Sequence, residues 1–85
     1  MSESTYQNKL IKLLEADGFY VLKLIKTNKN GIPDLLALKP NEVKFIEVKG
    51  ERGIVSKLQK YRIEELIKLG FNAIISYENR EHIIN

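Results

Sequence analysis

The sequence predicts an α/β fold in which helices flank a mixed sheet, in the order helix, three strands, helix, strand. Two stretches carry apolar residues at helical spacing, and four short stretches are rich in strand-forming residues. Polar, turn-forming residues separate these stretches. The chain has 85 residues, of which 44% are hydrophobic. Because a chain of this length can build only one modest core, we expect a single domain over residues 1–85.

The first predicted helix covers residues 4–17. Ser4 and Gln7 have the spacing of a capping box, in which a serine hydroxyl and a glutamine side chain satisfy the free amides of the first turn. Gly18 is expected to end the helix in a left-handed conformation. Its apolar stripe, at helical spacing, consists of Tyr6, Leu10, Leu13 and Leu14.

Three strands are predicted next, over residues 19–25, 34–38 and 43–49. A polar loop at residues 27–31 separates the first two strands. Pro40 and Asn41 are typical turn residues, so the second and third strands should form a hairpin. Residues 50–55 contain two glycines and two charged residues and are predicted to be a loop.

A second helix is predicted to begin at Ser56, which has capping-box spacing with Gln59, and to end at Gly70. Residues 71–77 are almost continuously apolar, as expected for a strand that is covered on both faces. Residues 78–85 fit either a short helix or an edge strand.

Two carboxylates and one amine are predicted to converge at one edge of this sheet. Strand alternation places Glu47 and Lys49 on one face of the third strand. The hairpin brings Asp34, at the start of its partner strand, close to them. Separately, each feature has an ordinary explanation: the Glu-x-Lys pattern as an exposed face or ion pair, and Asp34 as a turn residue. Together they suit phosphodiester hydrolysis, which requires neutralisation of the phosphate charge and an activated water. A divalent cation held by paired carboxylates can supply both.

Composition restricts the kind of metal and of partner. The chain has no cysteine and only one histidine, His82. This excludes thiolate zinc sites and histidine-rich sites and favours oxygen-bound Mg²⁺ or Mn²⁺. The net charge of +3 permits an anionic partner. No export signal or membrane-length apolar run is present, so we expect a soluble cytoplasmic protein without membrane contact.

Four segments of the sequence resemble the PD-(D/E)XK nuclease superfamily, and within it they look most like the VRR-NUC domain in its small stand-alone form known from phages. They are Gly-Ile-Pro-Asp-Leu-Leu at 31–36, Phe-Ile-Glu-Val-Lys-Gly at 45–50, Ser-Lys-Leu-Gln at 56–59 and Leu-Ile-Lys-Leu-Gly at 66–70. The resemblance covers nearly the whole chain. It implies a restriction-endonuclease-like core of αβββαβ order.

The resemblance also implies roles for individual residues. Metal ligands would be Asp34, Glu47 and the backbone carbonyl of Val48. Lys49 would be the catalytic lysine, and Gln59 would join Asp34, Glu47 and Lys49 in the catalytic site. Gln59 has an alternative role as the capping partner of the helix.

Domains of this type often carry an acidic residue on the first helix. Glu3 is the provisional metal ligand there, and Glu15, near the helix end, fits less well. The alternative for Glu3 is an ordinary solvated charge.

A set of mainly basic residues in loops and at element ends would contact DNA phosphates. The main candidates are Lys29, Arg52, Ser56 and Lys57, and Lys23, Lys26 and Lys60 are further cations near element ends. For any single lysine the alternative is a solubilising charge.

The sequence therefore predicts a Mg²⁺- or Mn²⁺-dependent endodeoxyribonuclease. The resemblance favours a structure-selective enzyme similar to Holliday-junction resolvases, which would act as a homodimer on branched DNA, in the host cytoplasm if it is phage-encoded. The alternatives are a non-selective or nicking nuclease in repair or restriction, and a non-catalytic nucleic-acid-binding module of the same fold.

Overall fold

The computed structural model describes residues 1–78 and 83–84. Within these residues, two helices and five strands follow one another along the chain. They are α1 (Glu3–Ala16), β1 (Tyr20–Lys23), β2 (Leu35–Lys39), β3 (Glu42–Lys49), α2 (Lys57–Lys68), β4 (Asn72–Tyr77) and β5 (Ile83–Ile84). The predicted order is present. In the described part of the tail, residues 83–84 form an edge strand, whereas residues 79–82, with His82, and residue 85 lie outside the described residues.

The described strands form one mixed sheet in the order β1-β2-β3-β4-β5. Strands β1, β2 and β3 are antiparallel neighbours, and β4 lies parallel to β3. Helix α2 makes the crossover between these two parallel strands. The short β5 pairs antiparallel with β4. The predicted hairpin is present, and Asn41 at its tip has a positive φ of 63°.

Helix α1 begins earlier than predicted, because its N-cap is Ser2 and not Ser4. The Ser2 hydroxyl accepts a hydrogen bond from the Thr5 backbone N–H at 3.1 Å. Starting there places Glu3 in the first turn, where the helix dipole favours a carboxylate. The helix ends as predicted at Gly18, whose φ is +94°.

Strand β1 is shorter than the predicted 19–25. The Phe19 backbone N–H takes part in the turn that ends α1, where it donates to the Leu14 carbonyl at 3.0 Å. At the other end, Leu24 makes one more backbone bond, to the Asp34 carbonyl at 2.8 Å, but Ile25 points into solvent.

The apolar core lies on both faces of the sheet, as the continuous apolar pattern of β4 predicted. On one face, Leu10 and Leu14 of α1 pack against Ile46 and Val48 of β3. On the other, Ile63 of α2 packs against the opposite face of β4. Among the described residues, neither helix is long and apolar enough to cross a membrane.

Candidate active site

The predicted site residues meet where β2 begins and β3 ends. Because these strands are antiparallel and Leu35 pairs with Ile46, Asp34 lies beside the last residues of β3. The Asp34 Oδ2 atom accepts a hydrogen bond from the Val48 backbone N–H at 2.8 Å. Asp34 is therefore bound to the backbone of the strand that carries Glu47 and Lys49.

Glu47 is a charged residue buried beneath α2, with only 2% of its surface exposed. Its Oε2 atom lies 2.9 Å from the Gln59 Nε2 donor and 3.4 Å from the Lys49 Nζ atom. Its Oε1 atom is buried without a hydrogen-bond partner within the described structure. A carboxylate oxygen in that state is costly unless a cation or donor satisfies it.

Gln59 forms the predicted capping box and also contacts Glu47. Its Oε1 atom accepts from the Ser56 backbone N–H at 2.9 Å, and the Ser56 hydroxyl accepts from the Gln59 backbone N–H at 3.1 Å. This reciprocal pair is the predicted capping box. Because the box orients the amide, the Gln59 NH₂ group is free to hold Glu47.

The carboxylates of Asp34 and Glu47 are only partly compensated by nearby positive charge. Burial, followed by repulsion from Asp34, raises the pKa of Glu47 to about 7, against the opposing effect of Lys49. Burial also raises the pKa of Asp34, although the hydrogen bond from Val48 opposes it. A divalent cation beside these groups would favour both ionised forms.

The donor set fits a metal that prefers oxygen ligands. The two carboxylates are at one sheet edge, and the unpartnered Glu47 Oε1 atom leaves one lone-pair site to fill. In the described part of the chain, no group of three or more acidic, histidine or cysteine side chains is placed to hold a metal. Mg²⁺ is commonly held by one or two carboxylates, with water and substrate oxygens in the other positions, so two suffice.

Glu3 reaches the same region from the other face of the sheet. Its Oε1 atom accepts from the Gly50 backbone N–H at 3.1 Å, directly after Lys49. Its negative charge contributes to raising the pKa of both Asp34 and Glu47. Glu3 is thus not a solvated charge alone, and in this conformation one of its oxygens is engaged by the backbone.

A polar cleft of about 440 Å³ adjoins the carboxylate pair. Asp34 and Gln59 line one part of it, and Lys26 and Lys29 line another. The cleft places the predicted contact residue Lys29 next to the site. Lys23 differs, because it lies on the α1 face and donates to the Asn8 side chain at 3.4 Å.

The other predicted DNA contacts, Arg52, Ser56 and Lys57, are exposed between the end of β3 and the start of α2. The turn that carries Arg52 is closed by a bond from the Gly53 N–H to the Gly50 carbonyl at 3.1 Å. It packs on Lys49, because a Cβ added to Gly53 would lie 3.0 Å from the Lys49 Cδ atom. The turn therefore holds the lysine stem in place.

Two supporting residues were not predicted from the sequence. The Tyr6 hydroxyl lies 2.6 Å from the Ser76 hydroxyl of β4, which holds the first turn of α1 on the sheet. The Arg62 Nε atom donates to the Asn30 carbonyl at 2.8 Å, which ties the cleft loop to α2. The sequence assigned Tyr6 to an apolar stripe, and nothing in its pattern indicated the role of Arg62.

Comparison with known proteins identifies a matching family model and a related viral protein. The model of the VRR-NUC domain matches residues 2–77. A crossover junction endodeoxyribonuclease of Sulfolobus islandicus rod-shaped virus 1 is 37% identical over 65 residues, which is 74% of this chain and 54% of that protein. The chain thus spans about half the length of this curated relative.

The fold is also found in a solved structure, that of Hjc, a Holliday junction resolvase from Archaeoglobus fulgidus. The two share 15% identity at a TM-score of 0.63, over 92% of this chain and 73% of that one. The likeness confirms the predicted restriction-endonuclease-like core.

Proposed function

The chain belongs to the VRR-NUC domain family, and from this membership and the geometry of its carboxylate pair we propose that it is a metal-dependent, structure-selective DNA endonuclease. Its substrate would be branched DNA of the Holliday-junction type. The observation that carries the proposal is the meeting of Asp34, Glu47 and Lys49 at one sheet edge beside a cleft lined by lysines.

Each residue has a proposed task in phosphodiester hydrolysis. Asp34, Glu47 and the Val48 carbonyl would hold Mg²⁺ or Mn²⁺, with Glu3 the weakest member of the set because Gly50 already engages it. When bound, such a cation neutralises phosphate charge and lowers the pKa of a bound water. Lys49 would stabilise negative charge on the phosphate or orient the water.

Gln59 would act by orienting Glu47. Its NH₂ group binds Oε2, which leaves Oε1 as the oxygen available to a cation. Because the capping box fixes the other end of the amide, this orientation is built into the start of α2. Lys29, Arg52, Ser56 and Lys57 would bind phosphates on either side of the cut.

The protein would act as a homodimer. A small domain has a limited DNA footprint, and a two-fold pair presents two sites with matching symmetry. Two apolar residues, Tyr20 and Leu22, are exposed on edge strand β1, which leaves apolar surface for a second copy. Sedimentation at several concentrations would measure this, and a monomer at micromolar concentration would contradict it.

The proposed activity is tested on a four-way junction and a linear duplex of the same sequence, with Mg²⁺, Mn²⁺ or a chelator. We expect metal-dependent cutting that favours the junction. Asp34→Asn and Lys49→Ala should lose on the order of 100-fold or more of the rate. Lys44→Ala is the matched control, because Lys44 lies on the same strand at its far end.

Three outcomes would contradict the proposal. Cutting in the presence of a chelator would exclude the metal mechanism, and active Asp34 or Lys49 variants would exclude the site. Equal rates on junction and duplex would favour a nicking nuclease instead. Binding without any cutting would favour a non-catalytic module.

A further inference from the structure

Two isoleucines near the carboxylate pair are almost fully exposed. Ile25 has 87% of its surface in solvent and Ile54 has 84%. Among the large hydrophobic residues of the described structure, these two values are the highest. Scattered exposed apolar residues are ordinary on protein surfaces, so it is the position of these two that matters.

Both isoleucines lie at the sheet edge that carries the site. Strands β1 and β3 run in the same direction, because each is antiparallel to β2. Ile25 follows the end of β1, and Ile54 follows the end of β3. Asp34 precedes β2, which lies between these two strands. The chain segments that carry the two isoleucines therefore leave the sheet on opposite sides of Asp34.

Each isoleucine also adjoins a residue that touches the site. Ile25 lines the cleft together with Asp34, and its neighbour Leu24 donates to the Asp34 carbonyl at 2.8 Å. Ile54 follows Gly53, where an added Cβ would lie 3.0 Å from the Lys49 Cδ atom, so this turn lies against the Lys49 side chain. Both side chains are therefore placed where a DNA strand bound at the carboxylate pair could contact them.

Cationic residues lie close to both isoleucines along the chain. Lys26 and Lys29 follow Ile25 and line the same cleft, and Arg52 and Lys57 are exposed on either side of Ile54. Cations suit phosphates, whereas an aliphatic side chain suits the flat face of a base. In a continuous duplex those faces are stacked on one another, whereas a protein that opens a branch point can expose them. A second copy is a poorer occupant, because a two-fold contact would bring equivalent cations together.

We propose that Ile25 and Ile54 are specificity-determining residues, which contact the unstacked bases of a DNA branch point on either side of the carboxylate pair. The inference rests on the proposed function, to which it adds the feature of the substrate that is recognised. Isoleucine is among the residues that other DNA-binding proteins insert between base steps.

The test compares wild type, Ile25→Ala, Ile54→Ala and the double variant. The matched control is Leu69→Ala, since Leu69 is 72% exposed but lies at the far end of α2. The first readout is the ratio of cleavage rates on a four-way junction and a linear duplex. We expect this ratio to fall about tenfold in the double variant and to stay unchanged in the control.

The second readout does not need cleavage. A junction with 2-aminopurine at the branch point is titrated in a chelator, and its fluorescence should rise with wild type and not with the double variant. If wild type cuts no DNA, the proposed endonuclease function is excluded. The fluorescence measurement would still test whether the two isoleucines contact unstacked bases.

Three results would overturn the inference. An unchanged cleavage ratio in the double variant, whether both rates stay the same or fall equally, is the first, and an equal fluorescence rise with wild type and the double variant is the second. The third is a double variant that sediments as a monomer when wild type is a dimer, because the isoleucines would then belong to a subunit interface. Thermal unfolding of all variants checks that each is folded, which is expected because both side chains are exposed.

Discussion

The dual role of Gln59 predicts that its replacement costs more stability than loss of the helix cap alone. Gln59→Ala removes the side-chain bond to the Ser56 N–H and the bond to Glu47 Oε2. Ser56→Ala is the matched variant, because it removes only the Ser56 hydroxyl that accepts from the Gln59 N–H.

The structure sets the size of the difference in unfolding free energy between the Gln59→Ala and Ser56→Ala variants. Loss of an N-cap hydroxyl costs about 1 kcal/mol. Gln59→Ala weakens the same helix end by about as much, and it also leaves the Glu47 Oε2 atom with only Lys49, at 3.4 Å. Because Glu47 is 2% exposed, water cannot easily replace the lost donor. An unsatisfied buried group costs about 1–3 kcal/mol, so the total for Gln59→Ala is about 2–4 kcal/mol.

Urea unfolding, followed by circular dichroism, measures both variants against wild type. The measurement is made at pH 8, above the Glu47 pKa of about 7, so that the carboxyl is mostly ionised. If the two variants lose the same free energy of unfolding, within about 0.5 kcal/mol, the bond between Gln59 and Glu47 contributes nothing and the argument is wrong.

Three further predictions concern the fold and the metal. Gly31 has a φ of +82°, and a Cβ there would lie 2.7 Å from a side-chain atom of α2, so Gly31→Ala should cost about 2–4 kcal/mol in urea unfolding. Gly18→Ala, with a φ of +94° but open space, should cost only about 1–2 kcal/mol, and an equal cost for both would refute the packing argument. Ile63→Ala, at a residue 1% exposed, should cost about 2–5 kcal/mol, whereas Leu69→Ala should stay within about 0.5 kcal/mol; similar losses would contradict the assigned core. Mn²⁺ at a hundred times its dissociation constant should stabilise wild type by about 2.7 kcal/mol in calorimetry, and the same gain in Asp34→Asn would exclude Asp34 as a ligand.

Much of this fold is readable from local sequence, because the relevant interactions join near neighbours. The capping box of Ser56 and Gln59 spans three positions, and the structure contains it as predicted. The alternation of side chains along β3 likewise follows from strand geometry, which places Glu47 and Lys49 on the same face whatever surrounds them. The hairpin then needs only its turn residues to bring Asp34 to the end of β3.

Two predicted element boundaries were wrong, at the start of α1 and the start of β1. At α1, a distant contact accompanies the choice between two locally acceptable caps. Ser2 and Ser4 are both acceptable caps by sequence, and the choice of Ser2 puts Glu3 within reach of the Gly50 N–H, 47 residues away. The shortened β1 has a different, local cause, because the Phe19 amide that the strand prediction had claimed donates to the Leu14 carbonyl at the end of α1.

The sequence by itself determined which side chains could carry the chemistry, and the tertiary structure decided how they are held. Residue type and strand parity place two carboxylates and a lysine on the hairpin. Only the packing of α2 on the sheet buries Glu47, gives its Oε2 atom to Gln59 and leaves Oε1 without a partner. That difference is physical, since burial and its effect on the Glu47 pKa depend on groups brought together from separate elements.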